Sequence, residues 1–413
     1  MSQSDRDLIR SLDPERLIPA EEFRARQDKL RAEASARGLD GIVVWSRGGA
    51  PVDMSADVFY LANHYSQQPY MSDHVGIGRA RSHGVLIVPV SGPSTLIVDI
   101  PWWRPDLVVA DDVRPGNDVV TVAADAMRGL GLDTGRVGLV GASSMSAAAY
   151  LGFVAELPDV ELERTDDLVE RLRIHKSPAE VAAMRAAIAL GNLAVGAAFE
   201  QVAPGATEAD AASAAAAVIA TEGGVLYDSA CASAARSHLF TWARVPSADA
   251  RRRLQPGDIF HMDCYGAFGG YFWDFGRTRI VGDAPTQAQY DLVETAIELV
   301  DVVCGAIKPG LTARDIQMVG ARFLAESSVV RGLPVEAGET EGFPAVGHGI
   351  GLGWEAPWLT VDDETVLEPG MAIAVETIVG HSSVGGAFHE ENGIVTADGF
   401  EVLTSVPQRW WPA

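Results

Sequence analysis

Cysteine is scarce. The 413-residue chain has 3, Cys231, Cys264 and Cys304, and no CxxC pair. A disulfide framework is therefore excluded, and a reducing compartment fits. Basic residues are also short, 32 Lys and Arg against 56 Asp and Glu, for a net charge of -24. That argues against nucleic acid and anionic membranes as partners, since both need a positive face. Alone, the acidity reads as a self-repelling surface. The opening "MSQSDRDLIRSLDPERLIP" lacks the apolar core of a signal peptide. No apolar run reaches the roughly 18 residues of a membrane span. A cytoplasmic protein is the expectation. No internal repeat is evident.

What is present is a change of pattern midway. Residues 21–38 read as a helix ending at Gly38. "LDGIVVW", "HGVLIVPV", "STLIVDI" and "RVGLVG" read as strands between helical segments. Alternating strands and helices indicate an α/β domain, placed at residues 1–168. Next comes "LVERLRIHKSPAEVAAMRAAIAL", where Ser177, Pro178 and Glu180 form an N-terminal capping signature. Helices are expected at about 178–202 and 207–223, and again at 285–306 and 311–327, with short strands around them. This second domain, 174–413, reads as α+β, with helices packed on one curved antiparallel sheet.

Four strings in that half carry acids or histidine in apolar strand sequence. Asp263 and Asp274 lie eleven apart in "HMDCYGAFGGYFWDFGRTRIVGD". Cys264 adjoins Asp263, but strand neighbours point to opposite faces, so its thiol is expected in the core. His348 sits in "VGHGIGLGWEAPW", Glu376 in "LEPGMAIAVETIV" and Glu390 in "AFHEENGIVTADG". Taken singly, each is an ordinary edge, turn or loop residue. Buried together without a cation, four carboxylates would cost several kcal/mol each. Two divalent ions about 3.5–4 Å apart, with bridging carboxylates, would resolve the repulsion.

These strings resemble the pita-bread metallopeptidase superfamily, which includes Xaa-Pro aminopeptidase, prolidase and the creatinase-like enzymes. "RLRIHKSPAEVAAMRAA" is similar to the opening of its catalytic domain. "LQPGDIFHMDCYGAFGGYFWDFGRTRIVGD" is similar to its first ligand hairpin, and the first half to its N-terminal domain. The resemblance implies a dinuclear site of Asp263, Asp274, His348, Glu376 and Glu390, with Glu391 the competitor for Glu390. It further implies an activated water, Glu376 as proton shuttle and, from the two-domain branch, a homodimer. Manganese is the expected metal, with iron, cobalt or zinc as alternatives, since oxygen-rich ligation with one imidazole suits hard or borderline ions.

The chain departs from the pattern at two histidines that assist peptide cleavage. "HGIGLGWEAP" is one residue shorter than HGIGLxxHExP and carries Trp354 and Glu355 where the histidine belongs. Upstream, in "SAARSHLFTWARVPS", Trp242 takes the other position, with His238 four residues earlier. Glu355 and His238 are thus candidate catalytic groups, and His381 is another imidazole to locate. Trp242, Trp273, Trp354 and Trp358 flank the ligand strings, and large aromatics commonly pack cores. As a pocket wall, Trp242, Trp354, Trp102 and Trp103 would suit a flat or cationic molecule. His74, with His64, Arg79 and Arg81, is a further candidate contact. The leading expectation is hydrolysis of a C–N bond, amide or amidino, in a small non-standard substrate. Alternatives are Xaa-Pro aminopeptidase or prolidase activity, a lyase of the dimethylsulfoniopropionate-lyase type, and an inactive scaffold.

Overall fold

The computed structural model describes residues 3–48, 56–66, 68, 71–239, 244–282, 284–327, 345–381 and 383–410. The chain divides into two units, Ile18–Arg173 and Met1–Leu17 with Ile174–Ala413. The first helix, Gln3–Arg10, therefore goes with the C-terminal unit, whereas the sequence had placed it in the N-terminal domain. Ile9 of this helix is buried, and two ion pairs add to its hold. The carboxylate of Glu222, whose side chain is 2% exposed, accepts from Arg6 and Arg10 at 2.8 Å each.

The Ile18–Arg173 unit is built on a six-stranded mixed sheet. Its strands are β1 (Gly41–Arg47), β2 (His83–Pro89), β3 (Thr95–Val98), β4 (Asp112–Pro115), β5 (Gly135–Val140) and β6 (Val160–Arg164). Their order is β4-β3-β2-β1-β5-β6. Fully buried runs such as Val43, Val85, Ile87 and Leu139 pack against Val119, Ala123, Met127 and Phe153 of the flanking helices.

In the C-terminal unit, β7 (Val225–Ser233), β8 (Ile259–Phe268) and β9 (Tyr271–Ile280) form one antiparallel sheet. The other contains β10 (Gly347–Ile350), β11 (Trp354–Trp358), β12 (Ala372–His381), β13 (Gly385–Val395) and β14 (Phe400–Val402), in the order β11-β10-β12-β13-β14. The expected single sheet is thus two by hydrogen bonding. Asn392 of β13 joins them: its Oδ1 accepts from the Asp274 backbone N–H at 2.9 Å, and its amide donates to the Asp274 carbonyl.

The helix Pro178–Glu200 begins as its sequence requires, with Ser177 and Glu180 in a reciprocal capping box. It is also long and apolar enough to cross a membrane, contrary to the expectation that no segment is, but 78% of its apolar window is buried inside the fold. It is a core helix: Gly191 leaves room for Trp273, since a Cβ there would stand 2.6 Å from the indole.

Candidate metal centre

Strand register brings the ligand-type residues together. Asp263 pairs with Gly276 and Tyr265 with Asp274, so both aspartates project from one face of the β8–β9 hairpin. On the other sheet Glu376 lies directly opposite Glu390, and His348 pairs with Ala374, two residues from Glu376 on the same face. Ligand atoms of Asp274, His348 and Glu390 all lie within 4.8 Å of one another. His348 Nε2 is 3.6 Å from Asp274 Oδ2 and 3.5 Å from Glu376 Oε1.

The imidazole tautomer follows from the geometry. His348 Nδ1–H donates to the Gly349 carbonyl at 2.9 Å, so Nε2 turns its lone pair toward the two carboxylates. Lone pair facing carboxylate is repulsive unless a cation, or a proton on the carboxyl group, stands between them. Burial pushes His348 down to about 4, so protonation does not relieve this near neutrality. The carboxylates show the same need. Asp263 Oδ1, Asp274 Oδ1 and both oxygens of Glu390 are buried with no hydrogen-bond partner. Burial, then the charges of Asp274 and Glu376, pushes Asp263 well up. Burial raises Asp274 to about 7, against hydrogen bonds from Trp354 and Asp263. Burial and the Asp274 charge raise Glu376 to about 8, and Glu390 rises for like causes. Such a donor set fits divalent cations.

Between the competitors Glu390 and Glu391 the fold discriminates. Glu391 is on the opposite face of β13. There it accepts from Arg277 Nη2 at 2.9 and 3.0 Å, from Gln408 at 3.1 Å and from Thr404 Oγ1, while His389 Nε2 lies at 3.2 Å. Burial alone would raise Glu391, but Arg277 and these bonds outweigh it and hold it below the usual range. Glu376 differs in another way. Its side chain is 15% exposed, against 4% for Asp274 and 3% for His348.

The other candidates are placed differently. Glu355 is not a spare acid: Lys176 Nζ donates to its Oε1 at 2.6 Å, with side chains 1% and 9% exposed. His238 has its Cα 2.8 Å from where a Gly386 Cβ would stand. That is four residues from Glu390, or about 13 Å of strand. Its Nδ1 is buried without a partner. His381 ends β12 five residues beyond Glu376, facing the other way, with Nδ1 2.6 Å from Ser383 Oγ. Among the described residues, neither supplies a second imidazole to the cluster. Trp242 lies outside the described residues. Trp273 is core, at 0% exposure.

Trp354 comes closest of the aromatics. Its Nε1–H donates to Asp274 Oδ2, and its ring lies 5.4 Å from Tyr265, 6.0 Å from His348 and 6.5 Å from Tyr227, nearly parallel to the last. Trp358 is 5.7 Å from His348. Trp102 (exposed), Trp103 (half-buried) and His74 (exposed) belong to the Ile18–Arg173 unit. There Arg79 is engaged by Asp118 and Glu156, and Arg81 by Asp99. His64 is pushed down to about 4 by burial. Sequence reasoning missed Lys176, Asn392 and Arg277 as supporting groups. Their partners are 179, 118 and 114 residues away, beyond any local signal.

A two-domain chain with acids and one imidazole converging between antiparallel strands defines a metal-dependent hydrolase of the creatinase-like, pita-bread architecture. The comparisons agree: residues 182–397 match metallopeptidase family M24, and residues 26–175 match the creatinase/prolidase N-terminal domain. The chain belongs to metallopeptidase family M24, whose enzymes bind two divalent metal ions. It is 30% identical over 262 residues to an Xaa-Pro dipeptidase of Pyrococcus horikoshii, covering 61% of this chain and 70% of the relative. It is 28% identical over 269 residues to an Xaa-Pro dipeptidase of Lactobacillus helveticus, covering 63% and 68%. The prolidase structure from Pyrococcus horikoshii superposes with a TM-score of 0.74 at 22% identity, over 93% of this chain and 99% of that one. Dipeptidase PepE from Mycobacterium ulcerans gives 0.73 at 25%, over 95% and 98%.

Proposed function

We propose that this chain hydrolyses an amide C–N bond in a small, dipeptide-sized substrate at two divalent metal ions held by Asp263, Asp274, His348, Glu376 and Glu390. The relatives make Xaa-Pro dipeptides the first substrates to try. The carrying observation is the His348 Nε2 lone pair set 3.5 Å from the Glu376 carboxylate and 3.6 Å from that of Asp274. When bound, the ions supply Lewis acidity and lower the pKa of water. The chain's own residues do the rest. Glu376, the more exposed of the acids, moves a proton between the site and the departing nitrogen. Trp354, Trp358, Tyr227 and Tyr265 form an aromatic wall against which an apolar substrate group packs. Manganese, a homodimer and a cytoplasmic location complete the reading.

A second reading, a non-peptide amide, is favoured by two observations: an indole stands beside Asp274, and no second imidazole joins the cluster among the described residues. The test is turnover with MnCl2 of Xaa-Pro dipeptides against small aromatic or cationic amides, run in oxygen-18 water. Proline release with label in the new carboxylate supports the first reading, and cleavage of the amides alone supports the second. An unsaturated, unlabelled product would mean a lyase and sink both.

A further inference from the structure

Trp354 opens β11, which among the described residues is the edge strand of its sheet and pairs only with β10. Pairing between them is irregular at His348–Gly349. An edge strand so lightly held needs side-chain anchors to fix an indole beside a carboxylate. Two are present, on consecutive residues that face opposite ways. Outward, the Trp354 Nε1–H donates to Asp274 Oδ2. Inward, Glu355 accepts from Lys176, whose side chain is 1% exposed. The Lys176 backbone is itself tied down, its N–H donating to the Gly370 carbonyl at 3.2 Å, in the turn that leads into β12. Gly351 keeps the space for the Glu355 carboxylate, since a Cβ there would stand 2.3 Å from Oε1.

We propose that Lys176, Glu355 and Trp354 form a positioning line that holds the Asp274 carboxylate, with the indole N–H as its terminal donor. The proposal rests on the metal-centre reading and deepens it. Hydrogen-bond donors to a ligand carboxylate orient it, and losing one costs about 10- to 100-fold in metal affinity or activity. An indole suits the task because it donates without titrating.

The test is Mn2+ affinity, measured by equilibrium binding of MnCl2 to the full chain. Trp354→Phe keeps an aromatic ring, though a smaller one, and removes the donor, and is expected to weaken binding by about 10- to 100-fold. Lys176→Met/Glu355→Gln removes the anchor while leaving no lone buried charge. It is expected to weaken binding and to red-shift Trp354 emission in metal-free protein, read as the spectrum of that variant minus the same variant with Trp354→Phe. Affinity unchanged in Trp354→Phe would overturn the line and leave the metal centre standing. Unshifted Trp354 emission with unchanged affinity in the double variant would overturn the role of Lys176. If the unaltered chain retains no Mn2+, the metal-centre reading falls, and this inference with it.

Discussion

Adjacent glutamates with opposite surroundings give the sharpest test. Glu390→Gln and Glu391→Gln are isosteric changes one residue apart, yet they should fail in opposite ways. Glu390 makes no hydrogen bond with either oxygen, so the amide removes no protein contact. It also removes a carboxylate that burial and three neighbouring acids already disfavour in its charged form. The metal-free variant should be as stable as the parent or more so, and should lose metal. Glu391 instead neutralises Arg277, whose side chain is 1% exposed. Breaking one side of a buried ion pair costs about 3–5 kcal/mol. The amide oxygen can still accept one bond from Arg277, so the low end, about 3 kcal/mol, is expected. For a unit near 250 residues that is a drop of roughly 6–12 °C in Tm. Calorimetry in chelator and metal analysis after dialysis against MnCl2 separate the two. A stable Glu391→Gln protein without metal, beside a Glu390→Gln protein that keeps its metal, would refute the assignment.

Two predictions concern pH. Asp274 and Glu376, pushed up to about 7 and about 8, hold protons in the metal-free fold that their unfolded forms release. Metal-free stability should therefore fall as pH rises through the unfolded carboxylate range toward those values, and metal binding near pH 7 should release protons. Calorimetric titration in buffers of different ionisation heat checks this, and an absence of proton release would count against it. In the other unit, burial and then Arg47 push His83 down to about 4, while its Nδ1 accepts from Trp45 Nε1 at 2.7 Å. Its folded pKa lies below the unfolded 6.5. Stability is complete above 6.5 and is lost as pH falls toward 4, by up to about 3 kcal/mol. Acid unfolding followed within Ile18–Arg173 should show this slope, and His83→Gln should flatten it.

Much of this was legible along the chain. Ser177, Pro178 and Glu180 mark a helix start because capping is local, and the helix begins there. The hairpin aspartates share a face because Gly276, the registered partner of Asp263, lies two residues from Asp274. Other features were not local. Glu390 and Glu391 lie on opposite faces of any strand, but only the register with Glu376 says which one faces the cluster. Glu355 looked like an available acid until Lys176 was found against it. Trp273 and Trp354 are the same residue type in similar strings, one buried in the core and the other half-exposed beside Asp274.

By itself the chain of residues marked where its main helices start, its two-part pattern, and the short strings in which acids and a histidine interrupt apolar sequence. Each of these depends on residues within a turn or a strand of one another. Tertiary structure alone decided which carboxylates stay unpaired and which meet an arginine or a lysine. That depends on strands brought together from more than a hundred positions away, where burial makes the presence or absence of a counter-charge the dominant energy.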